Sequence, residues 1–516
     1  MNLSYIELLL NLLPQIALVA TAFAVLAADF ILLREQNPAR RFRSLGCFAL
    51  MGLAVSGAML VGQLMQVQQP GGVFVGPLRT IVLDPLTVFF QLVIIVVTII
   101  TVFISMAYPF TTHVSEYYAV LIFGALGMNF LIASEELIAI FVSLELLSVC
   151  LYILTAFHKG MLRSAEGGLK YFVFGALSSA FMLFGLAWVY GLTGDTSLAG
   201  IGKAAAELAK TGLRGNGAML GVALLFTLVG FGFKLAVAPF HQWAPDAYEG
   251  SPTPATAFIA TGSKIASFFI FVKVLFIGFA GAQGSASWGS PGSGWVGVVA
   301  TLAAITLIVG NTAAIVQRNV KRLLAYSSIA HAGYILTGLV AANALGAASV
   351  FFYIIVYAFT NLGAFGIVAA LSARVGGDDF KDFTGIYKRA PGLTFLMLLF
   401  VLSLAGVPPL GGFFGKFYLF TAALNADPKN LGLLWLVILG IAMSAVSLYY
   451  YLILLKTMYV VEPAEPDGNP AATDRIVAPP YLTVALIVCV AVVLWTGIAP
   501  QQTLTWLEQF MRFLPL

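Results

Sequence analysis

The sequence is poor in charge. Its 516 residues include only 26 basic and 22 acidic ones, which together make up 9% of the chain, whereas a soluble globular protein carries about 25% charged residues. Hydrophobic residues account for 60% of the chain, and the mean hydropathy is +0.97. The composition therefore excludes a water-soluble enzyme and predicts a helical protein that crosses a membrane many times.

Cysteine and histidine are also scarce, with three and four residues. Cys47, Cys150 and Cys489 lie far apart in apolar runs, so neither a disulfide framework nor a clustered metal site is predicted. The sequence has no GxGxxG motif after a predicted strand, no GxxxxGK[ST] and no paired CxxC. We therefore expect no nucleotide, flavin, iron–sulfur cluster, metal or nucleic acid to bind to this chain, and any energy must come from partners or an ion gradient.

The apolar runs predict about fourteen transmembrane helices, because each is bounded by charges, proline or glycine and most are long enough to cross a bilayer. They lie at about 8–33, 44–66, 84–108, 117–134, 137–157, 168–193, 217–240, 253–277, 295–316, 324–343, 347–373, 392–424, 431–457 and 478–498. Counted in alternate loops, fifteen basic residues fall on one side and six on the other. The positive-inside rule places the fifteen in the cytoplasm and both termini outside. We therefore predict an all-α polytopic membrane protein.

Glu145 lies near the middle of the fifth predicted span, in IAIFVSLELLSVCLYIL (138–154). An ionisable group at the bilayer centre costs about 2.5–3.5 kcal/mol on insertion scales, and such groups mark ion paths. The alternative is a neutral structural acid that is hydrogen-bonded to Ser148.

Lys234 lies in the seventh span, in LVGFGFKLAVAPFHQWAPDAYEG (228–250). Pro239 and Pro245 follow it and predict a broken helix, which is tolerated at membrane depth only where it lines a cavity or is buried in protein. His241, seven residues after Lys234, would lie on nearly the same helix face as a proton relay. The alternative is an interfacial histidine.

Two lysines lie in the eighth span. Lys264 has Thr261 and Ser267 three residues to either side and is too deep to reach the surface easily, which predicts a functional residue. Lys273 falls on the opposite face, about 13 Å nearer the outer surface. This position predicts a lysine that snorkels to that surface.

The twelfth span repeats the pattern of the seventh. It carries Lys416 in VLSLAGVPPLGGFFGKFYLF (401–420), where Pro408 and Pro409 interrupt an apolar run of about 33 residues. Matched broken helices are a sequence sign of inverted repeats in transporters. Because the two lysines are five spans apart and a repeat with an odd number of spans must be inverted, we predict two inverted five-helix repeats, spans 4–8 and 9–13.

This division predicts four segments: a three-helix segment, the first repeat, the inverted second repeat, and a last segment with a linker, one span and a short amphipathic end, at 1–110, 111–280, 281–460 and 461–516. Residues 198–213 have the charge spacing of a helix that lies on the outer surface. Residues 462–475 are rich in proline and acids and predict an exposed linker.

Two more residues are relay candidates. His331, in YSSIAHAGY (326–334) on the tenth span, corresponds to the relay region of the other repeat. The alternative is a core histidine whose hydrogen bonds are satisfied. Lys170, at the start of the sixth span, either pairs with Glu166 four residues earlier or is a partner for Glu145.

Four motifs together resemble one family. The stretch KLAVAPFHQWAPDAYEGSPTPATAFIATGSKIA (234–266) resembles the signature of the proton-translocating, antiporter-like subunits of respiratory complex I, NADH:quinone oxidoreductase, and among them the subunit N group. AYSSIAHAGY (325–334), GVPPLGGFFGK (406–416) and SLELLS (143–148) agree with it in order and spacing over most of the chain. The resemblance implies that proton transfer is carried by Glu145, Lys234, Lys264 and Lys416.

The resemblance also implies the setting. The chain would translocate protons in the membrane arm, as a subunit of a translocase, while NADH, FMN, iron–sulfur clusters and quinone bind to partner subunits. M-type and small K-type subunits would be its neighbours in the bilayer. The lysine at 416 differs from the acid of the M-type sister, and the three N-terminal spans indicate a bacterial inner (plasma) membrane. The alternatives are a ferredoxin-dependent cyanobacterial or plastid counterpart, a subunit of a multisubunit sodium/proton antiporter, and a scaffold with buried interface charges.

Overall fold

The computed structural model describes residues 5–210, 215–462 and 475–512. Within these ranges almost all regular structure is helical, and the only named strands form a short hairpin of β1 (Phe74–Val75) with β2 (Val82–Leu83). Helices satisfy their backbone hydrogen bonds internally, which a hydrocarbon environment requires. The predicted all-α polytopic membrane fold is confirmed.

The first part of the described chain contains eleven α-helices. They are α1 (Tyr5–Asn11), α2 (Leu13–Ala28), α3 (Pro38–Val67), α4 (Pro85–Ala107), α5 (Val114–Ala133), α6 (Leu137–Thr155), α7 (Leu162–Thr193), α8 (Leu198–Ala209), α9 (Asn216–Lys234), α10 (Trp243–Gly250) and α11 (Thr253–Lys273). π-Helical turns extend α2 at Asp29–Leu33 and α11 at Val274–Gly278.

The second part of the described chain contains eight more. They are α12 (Trp295–Ile315), α13 (Val320–Leu339), α14 (Ala344–Val375), α15 (Pro391–Ala405), α16 (Gly411–Asn425), α17 (Leu434–Tyr459), α18 (Pro480–Ile498) and α19 (Pro500–Met511).

Many helix starts follow from local sequence. Side chains at the N-cap accept hydrogen bonds from backbone amides of the first turn, which would otherwise be unpaired. These caps are Asn37, Asp84, Glu136, Ser197, Asn319 and Asn343. Prolines at the first helical position, where no amide hydrogen is needed, begin α3, α4, α15, α18 and α19.

Twelve helices of the described chain are long and apolar enough to cross a membrane, or thirteen if the bent pair Phe380–Lys388 and Pro391–Ala405 is counted as one span. The fourteen predicted spans therefore differ from this count at two places. α13 is present but is made less apolar by Arg322, its serines and His331. The twelfth span consists of two 15-residue helices, each about 22 Å long and so shorter than the bilayer core.

α11 and α14 form the centre of the molecule. The most apolar stretch of each is 100% buried, whereas the corresponding stretches of α3, α7 and α17 are only 33% buried. The two central helices pack against each other and against α4, α5, α13 and α16. Charges on or beside α11 and α14 are therefore shielded by a full shell of other helices.

Both predicted helix breaks are present. α9 ends at Lys234 and α10 begins at Trp243, whereas α15 ends at Ala405 and α16 begins at Gly411. The chain between these helices follows no regular helix, and a backbone carbonyl at each break, that of Phe233 and that of Ala405, accepts a hydrogen bond from a side chain.

The prolines contribute unequally to these breaks. Pro239 lies between α9 and α10, and Pro408 and Pro409 lie between α15 and α16, as predicted. Pro245 is not part of the first break, because it lies in the first turn of α10. A proline is tolerated there because amides of the first turn have no partner within the helix.

Two peripheral predictions fall partly outside the described residues. The predicted surface helix at 198–213 is α8, which buries Leu198, Ile201 and Ala205 on one face and exposes Lys203 on another. Residues 211–213 of that prediction, most of the linker predicted at 462–475, and the last four residues of the amphipathic end lie outside the described residues.

Candidate functional site

Four of the predicted site residues are charged groups that helices carry into the interior. Lys234, Lys264 and Lys416 are 7%, 2% and 4% exposed, and Glu145 is half-buried. Removing such groups from water costs several kcal/mol per ion unless partners compensate for it. The partners of each group therefore decide what the site can do.

Glu145, on α6, contacts α7. Its Oε1 accepts a hydrogen bond from the Ser179 hydroxyl at 2.5 Å. The hydrogen bond between Glu145 and Ser148 suggested as an alternative from the sequence is wrong, because the Ser148 hydroxyl donates to the Leu144 carbonyl. Among the described residues, no lysine forms an ion pair with Glu145 within 4.0 Å. Glu145 is therefore held by a neutral partner.

Lys234 ends α9 and directs its ammonium group toward α6. Its Nζ donates to the hydroxyl of Ser148, three residues after Glu145, and lies 3.5 Å from the Tyr152 hydroxyl. Nζ is also 5.4 and 5.1 Å from the ring centroids of Tyr152 and Phe233. A cation in the last turn of a helix is stabilised by the helix dipole. The break therefore provides Lys234 with a helix C-terminus inside the protein.

Lys416 has the same kind of partner, reached from the other side of its break. Its Nζ donates to the carbonyl of Ala405, the last residue of α15, at 3.1 Å and to the Ser444 hydroxyl at 2.9 Å. It also lies 4.6 Å from the ring centroid of Tyr334. Lys234 belongs to a first half-helix and Lys416 to a second one. Even so, each lysine is associated with the C-terminal end of a first half-helix, Lys234 as the last residue of α9 and Lys416 through its hydrogen bond to Ala405.

Lys264, on the central helix α11, contacts α13 and α14. Its Nζ donates to the Ser328 carbonyl at 2.6 Å and lies 5.6 Å from the ring centroid of Tyr357. The Ser328 hydroxyl accepts from the Tyr357 hydroxyl at 2.8 Å and lies 3.2 Å from the Tyr248 hydroxyl. Since Tyr248 belongs to α10, this contact connects Lys264 to the broken seventh span.

His331 lies on α13 between the contacts of two lysines. The backbone carbonyl of Ser328, three residues earlier, accepts the hydrogen bond of Lys264, and the ring of Tyr334, three residues later, lies 4.6 Å from the Lys416 ammonium. Residues three apart share one helix face. One face of α13 therefore leads from Lys264 past His331 to Lys416.

Both nitrogen atoms of the His331 ring have partners. Nδ1 lies 2.5 Å from the Tyr353 hydroxyl, and Nε2 lies 3.1 Å from the Tyr451 hydroxyl, which also contacts the Ser327 hydroxyl. The hydrogen bonds of His331 are thus satisfied in the core, which agrees with the alternative interpretation of a structural core histidine. Its neighbours are hydroxyl groups, which can donate and accept protons, so the relay interpretation stays a prediction.

His241 does not share a helix face with Lys234, contrary to the prediction from the sequence. α9 ends at Lys234, and an irregular segment carries the chain to α10. His241 is half-buried, and its Nδ1 has no hydrogen-bond partner among the described residues. Its role as a relay stays a prediction that no longer rests on a shared helix face.

Lys170 is an ion-pair partner of α10, not of Glu145. Its Nζ lies 2.7 Å from Glu166 and 2.7 Å from Asp246. Arg322 of α13 completes the group at 2.6 Å from Asp246 and 3.0 Å from Glu249. We call these five residues the α10 clamp, because they join α10 to α7 and α13. The clamp could have been suspected from the PDAYEG segment after the break, because its two acids have no basic residue close to them in sequence and therefore require partners from elsewhere in the chain.

We expect Asp246→Ala to lower the thermal unfolding temperature of the purified protein. The substitution leaves Lys170 and Arg322 without a shared carboxylate, and charged hydrogen bonds at a part-exposed site contribute about 1–2 kcal/mol after screening. Arg163→Ala is the matched control, because that side chain is 70% exposed in its pair with Glu249. Equal melting temperatures for the two variants would show that the clamp does not hold α10.

The structure also overturns the prediction for Lys273. It is not a snorkelling side chain, because its exposed fraction is 0% and its Nζ lies 3.2 Å from Glu135. A carboxylate in the loop between α5 and α6 makes burial more favourable than extension to the surface. The sequence could not predict this pair, since Glu135 and Lys273 are far apart in the chain.

The sequence also did not predict the hydroxyl groups that connect the buried charges. They come from five different helices and include Ser179, Tyr248, Ser328, Tyr334, Tyr353, Tyr357, Ser444 and Tyr451. One signal was present: polar residues at helical spacing in α13 and α14, helices that are otherwise almost entirely buried. Interior polar groups of this kind require partners.

This fold, with lysines meeting half-helix ends inside a helical bundle, defines the class of antiporter-like membrane proteins. A family model described as NADH:quinone oxidoreductase/Mrp antiporter, transmembrane, matches residues 134–444. The chain belongs to this family, and within it to the subunit N group.

Individual relatives agree with this membership. NADH-quinone oxidoreductase subunit N 2 of Acidobacterium capsulatum is 43% identical over 514 residues, covering 98% of this chain and 99% of the relative. A chain of respiratory complex I from Thermus thermophilus with bound aureothin is 32% identical, with a TM-score of 0.74 and coverage of 95% and 98%. A chain of the Mrp complex from Dietzia sp. DQ12-45-1b, at 19% identity, has a TM-score of 0.79 and coverage of 97% of both chains, which shows a common fold.

Proposed function

We propose that this chain translocates protons in the membrane arm of NADH:quinone oxidoreductase, driven by quinone reduction in other subunits. It is then a subunit of a translocase and carries out no redox chemistry itself. The observation that supports this most is the continuous face of α13, on which Ser328, His331 and Tyr334 connect two buried lysines. Ionisable groups arranged in this way within a membrane are typical of proton relays.

The first step involves Glu145 and Lys234. They are linked through α6, because Ser148, which contacts Lys234, lies three residues after Glu145. Val142 and Val149, on either side of Glu145, are 58% and 49% exposed, so this face of α6 is available for contact with a neighbouring subunit. A charge change in that neighbour alters the protonation of Glu145 and, through it, that of Lys234.

The break between α9 and α10 is the element that transmits this change. Lys234 ends α9, while Tyr248 of α10 contacts the serine that binds Lys264. Among the described side chains, no hydrogen bond joins Lys234 directly to Lys264. A small displacement of α10 would therefore be needed for a proton to move from Lys234 to Lys264. Lys170 controls this displacement, because it holds α10 through the clamp.

The energies involved are compatible with this scheme. Moving one elementary charge against 100 mV costs about 2.3 kcal/mol. One pKa unit corresponds to about 1.4 kcal/mol, so a shift of one to two units at each buried group is enough. Changes of this size are ordinary when a partner approaches or leaves a buried ionisable group.

His331→Gln tests the second part of the path. A glutamine keeps hydrogen-bonding groups for Tyr353 and Tyr451 but does not titrate, so a relay would be interrupted while the packing is preserved. We expect fewer protons pumped per NADH oxidised at a normal level of assembled complex. Tyr353→Phe is the control that disturbs one hydrogen bond only. Normal pumping by His331→Gln would favour a purely structural histidine.

We further propose that the chain is built as an N-terminal segment over 1–110, two inverted repeats over 111–280 and 281–460, and a final segment over 461–516. One break in each repeat and two lysines at half-helix ends support this division. Both termini would then lie on the outer side of a bacterial inner membrane. M-type and K-type subunits would be neighbours, and NADH, FMN, iron–sulfur clusters and quinone would bind elsewhere in the complex.

The second candidate function is a subunit of a multisubunit sodium/proton antiporter, which the fold shared with the Mrp complex chain favours. Purification of the assembly from its native membrane distinguishes the two. We expect bound flavin, iron–sulfur clusters and NADH-driven quinone reduction. Sodium-dependent proton flux in an assembly without these groups would overturn our proposal.

A further inference from the structure

A second group of buried charges lies away from the midplane lysines, at the far end of α11. It consists of Arg79, Asp84, Glu135 and Lys273, which we call the Lys273 cluster. Lys273 Nζ lies 3.2 Å from Glu135 Oε1, and Arg79 Nη2 donates to Glu135 Oε2 at 2.8 Å. Glu135 is thus held between a lysine with 0% exposure and an arginine that is 44% exposed.

Lys273 has further oxygen neighbours on two helices. Its Nζ lies 3.3 Å from the Thr87 hydroxyl and 3.5 Å from the Ile132 carbonyl. Asp84 is 3% exposed and caps α4 through the Thr87 amide at 2.7 Å. A π-helical turn begins directly after Lys273, and such turns frequently occur at functional sites.

Loops from three parts of the chain fix Glu135 and Arg79 in position. The Glu135 carbonyl accepts from the Leu198 amide at 2.9 Å, and Ile81 forms a bridge with Ser134. Arg79 itself has a positive φ of 57°. A non-glycine residue in this conformation is strained and is kept where the surrounding structure requires it.

The cluster is accessible from one side. A cavity of about 250 Å³ is lined by Val73, Val75, Arg79, Asp84, Glu135 and Ile277, among others. Val73 and Val75 are 38% and 36% exposed, so the cavity lies at the protein surface. In the predicted topology this is the outer surface, because α11 runs from the cytoplasmic side outward.

The other side of the cluster leads into the bundle. Gln91, one turn after Thr87 on α4, donates through Nε2 to the Asn129 carbonyl at 3.0 Å. The side-chain oxygens of Gln91 and Asn129 are buried and have no hydrogen-bond partner among the described residues. Buried polar atoms of this kind are usually satisfied by water. They therefore point to hydration between Lys273 and the interior.

The pKa values of the two carboxyl groups of the cluster are shifted in opposite directions. Burial raises the pKa of Asp84, and Lys273 and the Thr87 amide only partly offset this. Burial also acts to raise the pKa of Glu135, but Lys273 and Arg79 outweigh it and hold that pKa below its usual value. Paired groups whose environments separate their pKa values are typical of proton-transfer sites.

We propose that the Lys273 cluster is a proton-release site on the outer face of this chain. When the Arg79 side chain turns away into solvent, the ammonium of Lys273 transfers a proton to the Glu135 carboxylate, so that an N–H bond breaks and an O–H bond forms. Glu135 then gives this proton to water in the cavity, which restores the carboxylate, and the neutral amine of Lys273 takes up another proton from water on the Gln91 side. The inference rests on the proposed function and specifies its exit.

A merely structural ion pair would need neither the cavity nor the buried amide oxygens behind Lys273. The key variant is therefore Lys273→Arg, because arginine keeps the ion pair but does not lose its proton at physiological pH. We expect the assembled complex to oxidise NADH normally with a protonophore present, but to pump fewer protons per NADH in inverted membrane vesicles. Pumping at the wild-type ratio would overturn the proposal.

Arg79→Cys provides an independent test at an exposed position, which also decides the matter if Lys273→Arg fails to assemble. Right-side-out vesicles are treated with a membrane-impermeant cationic or anionic thiol reagent and are then converted to inverted vesicles, in which pumping is measured. We expect the anionic adduct to lower the proton-to-NADH ratio and the cationic adduct to restore it toward the wild-type value. Leu78→Cys, 85% exposed beside Arg79, should respond to neither reagent, and treated wild type reports reaction at the exposed Cys47. Equal ratios for both adducts of Arg79→Cys would overturn the proposal.

These tests separate the release site from the proposed function. If the Lys273 and Arg79 variants pump normally while substitution of Lys234 stops pumping, only the release site is wrong. If substitution of Lys234 also leaves pumping unchanged, the proposed function itself fails.

Discussion

Lys234→Ala is expected to stop proton pumping by this chain. Lys234 is the residue at which three features meet: the end of α9, the Ser148 contact toward Glu145, and the break that leads to α10. Without the ammonium group no proton can be held at this point. We expect the rate of proton transfer to fall by more than tenfold, which corresponds to at least about 1.4 kcal/mol on the barrier. NADH-driven acidification of inverted membrane vesicles measures it.

Two further variants separate charge from packing. Lys234→Met fills a similar volume in the interior, so it should assemble and still fail to pump. Lys234→Arg keeps a positive charge that is not released at neutral pH, and it should fail as well. Lys456→Ala is the matched control, because Lys456 is an exposed lysine in the last turn of α17. Full pumping by Lys234→Arg would show that the residue acts only as a fixed charge.

Glu145→Gln is expected to reduce pumping and quinone reduction together. A glutamine keeps an oxygen that can accept the Ser179 hydrogen bond, so the contact between α6 and α7 is preserved. It cannot change its charge, however, and the signal to Lys234 is lost. We expect a fall of about tenfold or more, equivalent to one or more pKa units of switching. The measurement is the proton-to-NADH ratio together with the rate of NADH oxidation.

Ser179→Ala is the control for Glu145. It removes the hydrogen bond at 2.5 Å but leaves the carboxyl group able to titrate, so its effect should be much smaller. Both variants are compared at equal amounts of assembled complex. Normal pumping and quinone reduction by Glu145→Gln would contradict the scheme at its first step and favour a scaffold whose charges serve only as contacts.

Many of the candidate residues could be identified from the sequence because burial of charge in a membrane is costly. A lysine or glutamate in the middle of an apolar run is conspicuous in any sequence, and prolines close to Lys234 and Lys416 mark the breaks. Partners could not be predicted in the same way. Glu145 accepts a hydrogen bond from Ser179, and Lys170 forms an ion pair with Asp246, because α6, α7 and α10 pack together. The local spacing of residues contains no information about that packing.

Lys273 shows most clearly what could not be predicted from the sequence. Helical geometry predicted that Lys273 lies on the face opposite Lys264, and its depth suggested a side chain that reaches toward water. The tertiary structure instead surrounds it with Glu135, Thr87 and the Ile132 carbonyl. A lysine at this depth can either extend to the surface or pair with an acid in the interior. The buried carboxylate of Glu135, from a distant loop, makes the paired state the lower in free energy.

The sequence by itself determined that this is a helical membrane protein, that two spans are broken, and that a few charges lie in the interior, because these follow from local hydropathy and from proline geometry. Only the tertiary structure decided that both broken spans offer a helix C-terminus to a lysine and that α13 connects Lys264 to Lys416. It also decided that Lys273 belongs to a separate cluster. Those facts depend on contacts between helices far apart in the chain, and the packing of whole helices fixes such contacts.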